Sequence, residues 1–391
     1  MKANISTIIW KPTKFCNAQC TYCSAPPEIN GAAKWSLDDF KRTFDKLIPY
    51  LTGNAVIIWH GGEPMLMGPR FYEEAYEYKQ KMFPGAKFSI QTNLLGYSSL
   101  RWKDVFRDIM GGSVSTSFDP DTEYRLFKGS ADLYQKIFYK KLEEVIADGF
   151  MPKIIGTYDS ASAHLADTMY DKSLEYGGFN IRFNYRYPAG RDIGKGEQIS
   201  PKEYGNMLIR LYNRWIKEVP NFVITPLDEM LKKVLEVELH RCPWTKSCGG
   251  HFFGIEPNGD VYNCSEFADL DDSSWSFGNI FEDSVDTLLK SKALRMIRRR
   301  PVKLPFDCTV CRHFKECEGG CMRDAILYDR GLGGKFYYCG SWKMVFDRIK
   351  ESVLNGEADN AIRMYNLDPQ EIRDKKAFKT EDDFVFKKEV A

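Results

Sequence analysis

Neither sign of charge is in excess: 55 Lys and Arg stand against 54 Asp and Glu, a formal net charge of +1 over 391 residues. No global field draws the chain onto nucleic acid or anionic lipid, and neither partner is expected. Long apolar runs are missing as well; none approaches the ~20 residues of a membrane span. The first residues, Met1 to Ser6, carry no cleavable hydrophobic signal, so the expected compartment is the cytoplasm. There is no internal repeat and no low-complexity segment, and cysteine is absent between Cys23 and Cys242. An odd total of eleven cysteines rules out a complete disulfide framework, which a cytosolic chain of this size does not need. What is present, 43% hydrophobic and 28% charged residues, is an ordinary globular mixture with enough apolar mass for a sizeable core. Its length suggests roughly two or three domains.

The cysteines that do occur are clustered. Cys16, Cys20 and Cys23 lie near the start; Cys242, Cys248, Cys264, Cys308, Cys311, Cys317, Cys321 and Cys339 lie toward the end, a pattern that divides into three, four and four. Thiolates in threes and fours suggest metal clusters.

Between them the sequence reads as α/β. Six β-rich runs, Ile8 to Pro12, Val56 to His60, Lys87 to Asn93, Ser113 to Asp119, Lys153 to Tyr158 and Asn180 to Tyr187, alternate with helical patterns. This predicts βαβ units, a parallel sheet and a partial (β/α)6 barrel of the TIM type. Six units are too few to close, and the opening admits a large substrate. Ser36-Leu37-Asp38-Asp39 can cap a helix with Trp35 and Phe40 as a staple, and Ser200-Pro201-Lys202-Glu203 is a capping box. Sites in such sheets form at the carboxyl ends of the strands. Alternation ends near residue 240, so the expected organisation is a barrel over 1–200, a helical bridge over 201–240, a cysteine-rich region over 241–350, and a helical segment with a charged tail over 351–391. Phe252 to Asn263 reads as a hairpin turning at Asn258-Gly259, which delivers Cys264 beside Cys242 and Cys248.

Cys16-Asn17-Ala18-Gln19-Cys20-Thr21-Tyr22-Cys23 is CxxxCxxC directly after the first strand. Three thiolates on a 4Fe-4S cluster leave one iron open to another ligand. A zinc loop with a distant fourth ligand, or three unrelated thiols, is the competing reading. Gly61-Gly62-Glu63-Pro64 follows the second strand, where glycines let backbone approach a ligand and the carboxylate can pair with an ammonium.

Together these segments resemble the radical S-adenosylmethionine (SAM) superfamily. In that family the methionine amino and carboxylate groups fill the open iron position, and Tyr22 stands where the family carries an aromatic residue. The resemblance implies SAM contacts at Gly61, Gly62, Glu63 and Pro64, at Gln91 and Asn93 after the third strand, and at Ser117 and Asp119 after the fourth. Arg125 is a further candidate for the SAM carboxylate, or a surface helix residue without function. His60 is a packing residue or a substrate contact. The implied chemistry is reductive cleavage of SAM and removal of a hydrogen atom from an unactivated carbon by a 5'-deoxyadenosyl radical.

The last eight cysteines are spaced like the SPASM extension of this superfamily, which carries two auxiliary 4Fe-4S clusters. By that resemblance Cys242, Cys248, Cys264 and Cys321 hold one, and Cys308, Cys311, Cys317 and Cys339 the other. Spacing alone would put Cys321 with its sequence neighbours, and a pair of zinc ribbons is the competing reading. Tetrathiolate clusters have no free iron, so their simplest role is to accept an electron, which makes the reaction a net oxidation. The implied cofactors are therefore SAM and three 4Fe-4S clusters, with a flavodoxin or ferredoxin as reductant.

The expected activity is oxidation or crosslinking of a peptide or protein side chain; oxidation of a small polar metabolite is the alternative. A non-enzyme reading, an iron-sulfur electron carrier or zinc scaffold, leaves the open-iron loop beside Gly61 to Pro64 without a purpose. The order of all eleven cysteines resembles the anaerobic sulfatase-maturing enzymes, which make formylglycine. Those carry an Asp after the third auxiliary cysteine; here Ser265 stands there, and Glu266 would point away from the site if the segment is extended. Only fifteen residues precede Cys16, so no leader-binding domain is expected there. On the sixth strand Arg182, Asn184 and Arg186 alternate with Phe183, Tyr185 and Tyr187, so the arginines either face the lumen or pair with acids. The run Arg295 to Arg300 reads as a solvated helix end.

Overall fold

The computed structural model describes residues 4–25, 33–193, 198–239, 242–245, 248–270, 272–328 and 330–375. The charged tail beyond Lys375 lies outside them. Six strands run parallel in chain order: β1 (Ile5–Trp10), β2 (Leu51–Trp59), β3 (Lys87–Thr92), β4 (Val114–Ser117), β5 (Lys153–Tyr158) and β6 (Ile181–Tyr185). Each lies within a few residues of its sequence expectation; β1 ends at Trp10 rather than Pro12, since proline has no N–H to give to a ladder.

The sheet is larger than six strands. A short β7 (Ile224–Thr225) extends it parallel to β6. On the other side β8 (Phe252–Ile255) pairs parallel with β1, followed by antiparallel β9 (Asp260–Tyr262) and β10 (Gly278–Asn279). The hairpin at Asn258-Gly259 is therefore real, but its first strand belongs to the barrel sheet. Gly259 takes φ +89°, where a Cβ would stand 2.4 Å from the Phe281 ring. Among the described residues β7 and β8 do not pair with one another, so the barrel stays open on that side.

Helices α1 (Leu37–Leu47), α2 (Pro69–Met82), α3 (Ser99–Asp104), α4 (Ala131–Ala147), α5 (Ala166–Glu175), α6 (Pro201–Glu218) and α7 (Leu227–Val234) follow the first seven strands in turn. Both expected capping boxes form: Ser36 with Asp39 on α1, and Ser200 with Glu203 on α6. The strands bury one face completely. Ile8, Trp10, Ile57 and Trp59 are fully buried, and Trp35 and Phe40 both close on Trp10 at ring distances of 4.9 and 5.1 Å. The alternate residues Thr7, Ile9 and Ile58 are half-buried and face the lumen. The helix Cys339–Leu354 packs on α6 and α7, fitting closely because Gly205 leaves room for Met344 and Ser341. No described helix is long and apolar enough to cross a membrane.

Candidate active site

The loop carrying Cys16, Cys20 and Cys23 leaves β1 and is held against the end of β2 by backbone: Gly62 N donates to Thr13 O at 3.0 Å and Glu63 N to Phe15 O at 2.7 Å. This contact is what demands glycine. Gly61 has φ +119°, and a Cβ on Gly62 would stand 2.2 Å from Phe15 O. The glycines thus admit the protein's own loop, a reason the sequence alone did not reveal. The Glu63 carboxylate is also spoken for, accepting from Met65 N (2.9 Å), Thr92 Oγ1 (2.6 Å) and Asn93 N (2.7 Å). Burial raises its pKa to about 7 despite those donors. Pairing with a ligand ammonium would have to share an acid already tying β2 to β3.

The other expected residues gather at the same strand ends. Asn93 Nδ2 donates to Asn17 Oδ1 at 2.6 Å and faces Cys16 Sγ at 3.9 Å; Gln91 Nε2 donates to Ser117 Oγ at 2.8 Å. Asp119 is buried, accepting from Thr157 N (2.6 Å), Arg125 Nε (2.7 Å) and the Tyr22 hydroxyl. Arg125 also donates to that hydroxyl. Arg125 is therefore neither on a helix nor on the surface: it lies buried in the loop after β4, locking Tyr22 to Asp119. His60 is half-buried, with Nδ1 accepting from Gly61 N, and burial and the Lys11 ammonium pull its pKa down to about 4.

The loop thiols suit metal-bound thiolates. Burial, then Glu63, pushes Cys16 up to about 12, and burial with the neighbouring Cys20 pushes Cys23 up to about 11. Such thiols lose their protons readily only to a bound cation. Ala18 N points at Cys16 Sγ at 3.4 Å, the kind of N–H to sulfur contact that a thiolate accepts.

The eight remaining cysteines fall into two sets. Burial raises Cys242, with Cys248, Cys321 and Cys264 as its thiol neighbours; the exposed surface of Cys242 lines the cavity described below. Burial raises Cys317 to about 12, with Cys339, Cys308 and Cys311 beside it. Cys321 thus sits with Cys242, Cys248 and Cys264, away from its sequence neighbours. Asn263 Nδ2 donates to Cys248 Sγ at 3.1 Å. Among the described residues no group of three converges on a single ion. A cluster does not require one, since each thiolate takes a different iron.

A cavity of about 420 Å³ joins the barrel lumen to the first of these sets. Thr7, Ile9 and Ile58 line one side, Cys242, Cys248, Cys264 and Cys321 another, with Arg182, Asn184, Tyr187, Glu266 and Arg323 between. Glu266 corrects the sequence expectation. Ser265–Ala268 is a helical turn rather than extended chain, so Glu266 enters the cavity and accepts from Arg323 Nη2, while Ser265 is buried. Arg323 is 5% exposed, lies 4.0 Å from the Tyr187 ring, and leaves its Nε without a partner. On β6 the alternation holds as far as Asn184, with Ile181 and Phe183 buried and Arg182 and Asn184 half-buried along the cavity; Tyr185 at the strand end and Tyr187 beyond it depart from it and line the cavity too. Arg186 does not, being paired with Asp159 (2.8 Å) and Asp192.

Several residues escaped sequence reasoning. Lys11 is buried between Glu256 (2.7 Å) and Asp269 (3.2 Å), joining β1 to the cysteine-rich region, and Ser24 donates to the same Asp269. Burial works against the Lys11 ammonium, but the Asp269 and Glu256 carboxylates outweigh it and raise its pKa. Only Arg323 and Asp324 carried a signal, a charged pair directly after the Cys321 segment.

A three-thiol loop at the strand ends of an open barrel, together with four further thiols that line a cavity of the same barrel's lumen, defines a class. The chain is a radical SAM enzyme with an auxiliary-cluster domain: residues 10–128 match the Radical SAM superfamily, and residues 242–318 match SPASM, an iron-sulfur cluster-binding domain. Its cofactors are accordingly SAM, a 4Fe-4S cluster and auxiliary iron-sulfur clusters. The chain is similar to the serine-type anaerobic sulfatase-maturating enzyme of Bacteroides thetaiotaomicron, 24% identical over 88% of this chain and 90% of that one. It is also 24% identical to the cysteine-type enzyme of Clostridium perfringens, over 90% of this chain and 98% of that one. In fold it resembles native anSMEcpe with bound AdoMet, at a TM-score of 0.76 and 21% identity over 90% of this chain and 98% of that chain. SuiB of Streptococcus suis bound to its precursor peptide SuiA follows at a TM-score of 0.62 and 15% identity, over 85% and 75%.

Proposed function

We propose that this enzyme oxidises or crosslinks a side chain of a peptide or protein, inserted through the open side of the barrel into the cavity between the strand ends and Cys242, Cys248, Cys264 and Cys321. The single observation that carries this reading is the shared cavity: lumen residues of β1 and β2 and all four thiols line one space. Relatives point the same way, since one solved structure holds anSMEcpe with AdoMet and a peptide, and another holds SuiB with its precursor peptide.

Cys16, Cys20 and Cys23 hold the cluster that binds SAM, and the two sets of four hold the auxiliary clusters. When bound, these groups supply a 5'-deoxyadenosyl radical and a sink for the electron left on the substrate. The chain's own residues position and shield. Asn93, Gln91 and Ser117 offer polar contacts to SAM at the strand ends, Tyr22 is fixed by Asp119 and Arg125, and Gly61 to Pro64 hold the loop in register. The aromatic wall of Tyr187, Trp244 and Phe267 keeps competing hydrogens and water from the radical. We place the barrel at 1–200, the bridge at 201–240, the auxiliary region at 241–350 and the C-terminal segment at 351–391, with a cytoplasmic flavodoxin or ferredoxin as reductant.

A second reading, formylglycine formation on a sulfatase, is favoured by one observation: Glu266 reaches the cavity from the position after Ser265 and can act as the base.

The test is anaerobic incubation of the reconstituted enzyme with SAM, dithionite and a synthetic peptide carrying Ser and Cys. Formation of 5'-deoxyadenosine with a peptide lighter by one pair of hydrogens is expected. Cleavage of SAM that leaves every peptide unchanged, while a small polar metabolite is consumed, would overturn the peptide reading.

A further inference from the structure

The run Arg295 to Arg300 does not end in solvent. Arg295, Arg298 and Arg299 are exposed as expected, but Arg300 is 2% exposed. Its guanidinium donates only to backbone: Nη2 to Gly319 O at 2.7 Å, and Nη1 to Leu332 O and, at 3.3 Å, to Gly334 O. Among the described residues no carboxylate forms an ion pair with it; the buried Asp324, which feels its charge, is already engaged by Arg323 and Tyr185. An arginine keeps its charge in any protein environment, and a buried cation without a counter-ion is costly.

The place it occupies explains why no carboxylate is in direct contact with it. Gly319 belongs to the link Glu318-Gly319-Gly320, which carries the chain from Cys317 of one thiol set to Cys321 of the other. All three residues have positive φ, at 51°, 91° and 65°. A Cβ on Gly319 would stand 2.8 Å from Leu304, and one on Gly320 2.7 Å from Phe336, so the crossing is both left-handed and tightly enclosed. The guanidinium clamps the middle of this crossing. Cys248 and Cys321 of one set and Cys308 and Cys317 of the other all lie within its electrostatic reach.

We propose that Arg300 is a positioning residue shared by both auxiliary clusters, a fixed cation that takes two anionic tetrathiolate clusters as its counter-ions and raises the reduction potential of each. The physical reason is direct. One-electron reduction adds negative charge to a cluster, a nearby buried cation stabilises that charge, and cluster potentials follow local charge and hydrogen bonding. Both clusters thereby become better acceptors for an electron leaving the substrate. The inference rests on the assignment of these eight cysteines to two clusters; an unaltered chain that takes up iron only at the Cys16 loop would overturn both.

The experiment compares the reconstituted wild-type enzyme with Arg300→Gln and Arg300→Lys by iron content and by redox titration followed with electron paramagnetic resonance. R300Q is expected to retain about twelve irons, with both auxiliary midpoints moved to more negative potential and the SAM-binding cluster unchanged; R300K is expected to move them less. If R300Q instead loses both auxiliary clusters and R300K keeps them, the shared role also stands. Full iron content with unmoved midpoints overturns the proposal, as does a shift or loss confined to one auxiliary cluster.

Discussion

Glu266 and Arg323 meet inside the cavity: Arg323 Nη2 donates to the Glu266 carboxylate from a helix far along the chain, while its Nε is left without a partner. The pair sets a carboxylate on the wall that also bears Cys264 and Cys321, held there by a buried guanidinium.

Replacing Glu266 with Gln removes the acceptor's charge and keeps its shape. If Glu266 takes the proton from the substrate side chain, peptide oxidation falls by about 10²–10⁴-fold, while 5'-deoxyadenosine still forms. Both products are read in one assay by mass spectrometry; equal loss of the two would assign Glu266 to folding or SAM binding instead.

The two thiol sets predict which substitutions act together. Cys321→Ala should remove the same auxiliary cluster as Cys264→Ala, and Cys317→Ala the same one as Cys339→Ala, each leaving about eight irons. Replacement of Cys16 alone should abolish SAM cleavage and leave both auxiliary signals intact. Iron analysis and paramagnetic resonance of the four auxiliary variants check the partition; Cys321 behaving like Cys317 would refute it.

His60 predicts a pH dependence. Its pKa is about 4 when folded against the usual 6.5, so between those values the unfolded chain binds the extra proton and the folded chain does not. Stability is therefore full above about pH 6.5 and falls as pH drops toward 4, by about 2 kcal/mol between pH 7.5 and 5. Urea unfolding at several pH values should show this slope in wild type and its loss in His60→Gln.

How much was legible follows from the range of each interaction. Strand positions and both capping boxes were readable because alternation and the Ser-x-x-acid spacing are local, set by neighbours a few residues away. The cysteine loop and Gly61 to Pro64 were readable as motifs for the same reason. Pairing of β8 with β1 was not, because its partner lies more than two hundred residues back and nothing in Phe252–Ile255 names an edge. Glu266 was misread because one helical turn after Cys264 replaced extended chain and swung the side chain by about a quarter of a turn. Arg125 and Arg300 looked like surface charges, since burial of a charge is decided by what surrounds it.

By itself the sequence determined an open α/β barrel with three thiols at one strand end, and eight more in a spacing that resembles the two auxiliary clusters of SPASM domains. Those features are written in short-range spacing, which survives without a fold. Only the tertiary structure decided that Gly62 yields to Phe15, that Glu63 is already bound, that Cys321 leaves its neighbours, and that Arg300 lies between the two sets. Each is a contact between distant segments, and no local pattern can encode which of many polar groups will be enclosed together once the barrel and the cysteine-rich region close on each other.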